Sequence, residues 1–354
     1  MLSSTASFLV VALGVTSVLL ALYVLVHRMW MEGRAARLRA IHDRLVECAR
    51  AFVDGRIDSK TAMQEFAPHR AAIGIDALLE LAMNASREAR ARLSELFAVL
   101  GYAAQATRAL QHRNSARRAD AATHLAYLGD GNSLPALHAR LADNDAIVRL
   151  AVAHAVSRIG GSGDVQPVLR TLASLRDVPL QRAAEILQGA GDVAAAPLAD
   201  ALNADGDVRE SVIAITTLGL LHSAEAVPQI GESLRHSSEE VRIASAKAMG
   251  EIGDTRAVAG LTAALEDPVW EVRGMAAKSL GLLRQERAVD SLRRCLSDRA
   301  WWVRYNAALA LEQVGARGIR ALMETAAHDP DRFARDISHQ LLGTYSAQLA
   351  QARV

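Results

Sequence analysis

An arginine recurs along this sequence at a nearly fixed interval. One constant step leads from Arg242 to Arg273, then to Arg304 and Arg335. Backwards, the same slot falls at Arg209, Arg182, Arg149, Arg118 and, less regularly, Arg90. A sustained period of this size restricts the chain to an array of small units, each burying its apolar face only against its neighbours.

Inside each period the apolar residues keep helical spacing. Val258, Leu261 and Leu265 correspond to Val289, Leu292 and Leu296 one period later, and to Val165, Val168 and Leu172 three periods earlier. Spacings of three and four put such residues on one face of a helix. Four residues beyond the slot arginine stand Ala122, Ala153, Ala246, Ala277 and Ala308, where a small side chain lets two helices approach closely. Ile186 takes that place after Arg182, so this copy is degenerate. Glycine and proline fall at the joints, as at Gly160-Gly161, Gly253-Asp254, Pro268 and Pro330. The pattern predicts an all-α chain, with about nine helix pairs in residues 70–345.

Asp143, Asp267, Asp298 and Asp329 each precede a slot arginine by six residues: Arg149, Arg273, Arg304 and Arg335. An aspartate there can cap the helix that follows. The arginines, Arg242 among them, can reach a neighbouring unit's aspartate or a helix-end carbonyl, which predicts a ladder along the stack.

This Asp-x5-Arg pattern with its Gly-Asp turn resembles the HEAT repeat, in particular its phycobilisome-lyase HEAT-like variety, over about two thirds of the chain. The resemblance implies an α-solenoid and offers several functions. Bilin lyase subunits built this way attach tetrapyrroles, but no residue here carries that role over. Deoxyhypusine hydroxylase holds iron on His-Glu pairs of its repeats. No histidine here is followed by glutamate, so the resemblance implies no metal ligand. HEAT-like DNA glycosylases use a basic concave face. The arginine ladder could imitate one, yet acids accompany its arginines, so nucleic acid is not the expected partner.

Composition points the same way. Net charge is +1, so no global field favours a polyanion. Only Lys60, Lys247 and Lys278 are lysines among 40 basic residues, a bias typical of GC-rich, bacterial coding. The two cysteines, Cys48 and Cys295, form no metal or disulfide framework. Glycine-rich phosphate loops, GxSxG and HExxH are absent. No catalytic residue and no cofactor is therefore expected.

Phe8 to Val26 is an unbroken run without a charge, long enough for a membrane-spanning helix. Arg28, Arg34, Arg37, Arg39 and Arg44 all follow it, and no arginine or lysine precedes it. These features predict an anchor in residues 1–28, with the remainder on the cytoplasmic side of a bacterial inner membrane. Residues 29–69 are expected to form an amphipathic connector, with Leu38, Ile41, Leu45, Cys48 and Phe52 on one side, and residues 346–354 a polar tail.

Trp270 and Trp301 share one slot in adjacent repeats, and Trp302 and Phe333 share the next. Aromatic residues make up only 4% of the chain, so this cluster is the candidate protein-docking edge. Together these features predict a membrane-anchored, non-catalytic scaffold or adaptor for a protein partner, with a membrane enzyme or envelope-assembly complex as the expected class.

Overall fold

A computed structural model describes the backbone of residues 2–202 and 206–351 and the side chains of residues 20–202 and 206–344. Among the described residues every regular element is helical. The chain divides into two packed units, one of residues 1–109 with 127–130 and one of residues 110–126 with 131–354.

The first unit holds α1 (Leu2–Val53), α2 (Ser59–Phe66), α3 (Ala71–Met83), α4 (Arg87–Val99) and α5 (Tyr102–Ala109). The end of α1 packs on α2, α3 and α4. Leu45, Ala49 and Phe52 are buried there, with Phe66, Leu78, Leu93, Leu96 and Phe97. Arg92 of α4 closes the corner, donating to the carbonyl of Val53 at 2.8 Å with its guanidinium over the Phe52 ring. The expected connector is therefore part of a core. Leu38, on the same side of α1 by sequence, stays exposed.

The N-terminal prediction is corrected. Among the described residues no helix is long and apolar enough to cross a membrane. Residues 8–19 of the charge-free run lie outside the residues whose side chains are described. From residue 20 the same helix runs unbroken to Val53 and soon carries Arg28, Glu32, Arg34 and Arg37, charges a hydrocarbon core does not tolerate. The single-pass placement in a bacterial inner membrane, with Phe8–Val26 as its span, is not supported.

The second unit carries the regular array. It begins with most of α6 (Ser115–Leu128). After that, α7 (Leu134–His138), α9 (Val165–Ser174), α11 (Ala195–Asp200), α13 (Val227–Ser233), α15 (Val258–Ala264) and α17 (Val289–Arg294) are the short first helices. Their partners are α8 (Ala146–Ile159), α10 (Leu180–Gln188), α12 (Val208–Leu220), α14 (Glu239–Ile252), α16 (Trp270–Leu283) and α18 (Trp301–Val314). The last pair is α19 (Ala316–His328) and α20 (Arg332–Gln351), so residues 346–351 continue a helix. The residues matched by period form the core. Val165, Val168, Leu172, Val258, Leu261, Leu265, Val289, Leu292 and Leu296 are all buried, as are Ala122, Ala153, Ala246, Ala277 and Ala308.

The second helices α12, α14, α16 and α18 stack directly on one another. Glycine makes the approach close. A Cβ on Gly219 would lie 3.1 Å from Ala248 Cα, one on Gly250 3.0 Å from Ser279 Cα, and one on Gly281 2.8 Å from Ala310 Cα. These glycines recur at the same interval as the slot arginines, so the tight contact is repeated by the period. After α14 the chain turns through Gly253 at φ 80°, and after α16 through Arg284 at φ 50°, a left-handed conformation that costs a residue with a Cβ about 1–2 kcal/mol.

Two opposite outcomes are expected. Gly281→Ala forces two helix backbones apart and destabilises by about 1–3 kcal/mol. Arg284→Gly removes strain at the turn and stabilises by about 0.5–1 kcal/mol. Thermal melts of the two variants check both signs; a neutral Gly281→Ala contradicts the close stacking.

Candidate functional site

Each slot arginine emerges near the start of a second helix, where its guanidinium can turn back onto the loop that precedes that helix. One nitrogen, Nη1, does so. It donates to the carbonyl six residues upstream: His112 from Arg118 at 2.9 Å, Asp143 from Arg149 at 2.7 Å, and His236 from Arg242 at 2.9 Å. The same bond runs to Asp267 from Arg273 at 2.8 Å, to Asp298 from Arg304 at 2.8 Å, and to Asp329 from Arg335 at 2.7 Å. The other edge of the guanidinium faces the next repeat. Arg118 grips Asp143 at 2.7 and 2.9 Å, Arg242 grips Asp267 at 2.8 and 3.0 Å, and Arg273 grips Asp298 at 2.7 and 2.9 Å. All three are two-pronged pairs between largely buried groups.

The aspartates do not cap the following helix directly. Each accepts the backbone N–H two residues on: Asp145 for Asp143, Val269 for Asp267, Ala300 for Asp298 and Asp331 for Asp329, at 2.8 to 3.0 Å. That bond orients the carboxylate toward the arginine it receives where the rung is complete. Burial by itself would raise the Asp298 carboxyl. The bonds from Arg273 and the Ala300 amide, with the charges of Arg273 and Arg304, outweigh it and hold the group below the ordinary carboxylate range. Asp143 is held low in the same way, burial being outweighed by Arg118, the Asp145 amide and Arg140.

The ladder has breaks that spacing does not foretell. Arg182 is exposed and meets Glu185 on its own helix. Arg209 turns back to the carbonyls of Leu175 and Val178 in the preceding repeat. Arg304 has an aspartate at the expected distance along the chain, Asp329, but lies instead over the Phe333 ring, 4.9 Å from its centroid.

The structure gathers part of the aromatic cluster into one patch. Trp301 and Trp302 meet edge to face at 4.7 Å, and Trp301 stacks on Tyr305 at 5.1 Å. Trp302 stands perpendicular to Tyr305 at 6.3 Å. Tyr305 is not among the residues singled out by sequence, although it lies one helical turn beyond Trp301. Trp270, Trp301, Trp302 and Phe333 remain 41, 44, 55 and 60% exposed. Tryptophan faces this open to water are uncommon and mark contact surfaces.

Burial pushes the Cys295 thiol up to about 11, with Asp298 adding to the shift, so it is protonated at neutral pH. Among the described residues no group of His, Cys, Asp or Glu is placed to hold a metal ion. His154 is held neutral by burial first, then by the charges of Arg158 and Arg182, which bring it down to about 4.

Arg273→Ala leaves Asp298 and two loop carbonyls without their donor and is expected to cost about 1–3 kcal/mol by thermal or denaturant melting. Arg273→Lys recovers little of it, because an ammonium cannot span both partners. For His154, the folded value lies below the ordinary 6.5. Its contribution to stability is therefore complete above pH 6.5 and is lost as pH falls toward 4, on the order of 1–3 kcal/mol after allowing for partial exposure. His154→Gln flattens the melting temperature in that window; an unchanged slope contradicts the assignment.

Comparison with known proteins gives the repeat its name. The family model for HEAT repeats matches residues 103–188, 195–274 and 258–343, more than half of the chain. Among curated proteins no relative matches by sequence. Among solved structures, human deoxyhypusine hydroxylase in complex with glycerol is 18% identical, over 78% of this chain and 97% of that one, with a TM-score of 0.33. An engineered protein is 16% identical over 86% and 98%, with a TM-score of 0.38. Kap121p bound to Pho4p is 14% identical over 85% and 41%, with a TM-score of 0.48. With more than half of its length matched to that model, the chain belongs to the HEAT repeat family.

Proposed function

We propose that this HEAT repeat protein is a non-catalytic scaffold or adaptor that binds a protein partner, with the Trp301–Trp302–Tyr305 patch and its neighbours Trp270 and Phe333 as the docking edge. The observation that carries this reading is the half-exposed patch itself, in a chain with few aromatic residues. Aromatic anchors of this kind dominate binding energy in protein interfaces. The Asp-x5-Arg register favours the phycobilisome-lyase variety as the repeat type, without bringing a tetrapyrrole site with it. The ladder arginines favour a protein over a nucleic acid. Arg118, Arg242 and Arg273 direct their donors to carboxylates and carbonyls of their own chain, which leaves little for phosphate.

Trp302 is the discriminating position, because its counterpart one repeat earlier is the charged Glu271. Trp302→Ala is expected to leave the melting temperature nearly unchanged and to weaken capture of the partner by about 2 kcal/mol, as hot-spot truncations do. Melting and quantitative co-purification with the full chain measure the two effects. Loss of stability with unchanged capture would show that the tryptophans only hold repeats together.

A further inference from the structure

The last rung of the ladder is open. In three repeats a carboxylate fixed by the amide two residues on receives a two-pronged guanidinium from the repeat before. Asp329 has the same fixed carboxylate, with the Asp331 amide at 2.9 Å. Arg304 stands at the right place in the sequence to fill it, yet its guanidinium is held by the carbonyls of Asp298 and Arg299 and lies over Phe333. The repeat itself accounts for this. In the three preceding repeats a 3₁₀ turn leads into a short first helix. Here α19 is a single helix of 13 residues, so Asp329 follows an element of different shape.

Asp329 lines a cavity of about 640 Å³, together with Thr325, Glu324, His328, Arg293 and Arg294 among others. Thr325 is 3% exposed, and its hydroxyl is buried without a hydrogen-bond partner. The local cations are partly engaged: Arg293 lies 3.7 Å from Glu324, and Arg294 donates to Ser291 at 3.0 Å. Asp329 itself makes no ion pair among the described residues.

We propose that Asp329 and this cavity bind an arginine side chain presented by a partner protein. The chain shows three times how such a carboxylate is satisfied, and the planar fork of a guanidinium matches it where an ammonium does not. The source of the arginine rests on the protein-partner reading above; the pocket's preference for a guanidinium does not, and can be tested alone.

The probe is N-acetyl-arginine amide, titrated into the full-length protein by calorimetry, with N-acetyl-lysine amide as comparison. Wild type is expected to bind the arginine probe roughly tenfold more tightly than the lysine probe. Asp329→Asn keeps an acceptor for the Asp331 amide, so the fold is retained, and binding falls roughly tenfold. Asp336→Asn, an exposed acid on α20, leaves binding unchanged. Equal binding to wild type and Asp329→Asn overturns the proposal. So does strong coupling between Arg304→Gln and Asp329→Asn in melting, which would show that the rung closes on itself in solution. Either result, with Trp302-dependent capture intact, refutes this pocket and leaves the aromatic docking edge standing.

Discussion

One guanidinium holding two repeats is the interaction on which the array depends. A slot arginine ties down the loop ahead of its own helix and, where the pattern is complete, the aspartate of the next repeat. Removing such a charge from water is costly unless most of its N–H groups find acceptors. Here the loop carbonyls and an amide-fixed carboxylate provide them in advance. The planar fork of arginine serves both directions at once, which a single ammonium cannot do.

Close helix stacking accompanies the ladder. Rungs join α14 to the loop before α16 and α16 to the loop before α18, and Gly219, Gly250 and Gly281 bring α12, α14, α16 and α18 within contact distance of the neighbouring backbone. Such a stack has little need of large aromatic residues in its core, since Leu, Val and Ala fill the narrow space between thin helices. The few aromatics the sequence does carry in the last repeats stand half in water, and an aromatic surface in water favours a partner. Scaffold function in this account comes from what the framework does not need for itself.

The period makes the fold legible. Arg242, Arg273 and the alanines four residues after them identify the second helices, and Val258, Leu261 and Leu265 identify the inward face of the first. The glycine stack is equally present, since Gly219, Gly250 and Gly281 repeat at the same interval, but glycine is so common at joints that glycines inside helices are easily overlooked. Other features are not readable. Spacing alone joins Arg304 to Asp329, and only the structure shows that α19 is one unbroken helix where the preceding repeats have a 3₁₀ turn and a short helix. Arg209 turns backwards where the register slips, its distance from Arg182 being shorter than the regular step and its distance to Arg242 longer. At the N-terminus, the lack of charge over Phe8–Val26 suggests a separate span. The helix instead continues to Val53, and its far end packs Leu45 and Phe52 into a core, a tertiary fact that hydropathy does not contain.

The most direct test of this account is a double-mutant cycle on Arg242 and Asp267, a rung complete at both ends. Arg242→Gln, Asp267→Asn and the double variant are melted alongside wild type. If the rung couples adjacent repeats, the two losses are non-additive by about 1–3 kcal/mol, as for groups that share one hydrogen-bonded network. Additive losses would contradict the account, because they would mean that each repeat is stable without the guanidinium that joins it to the next.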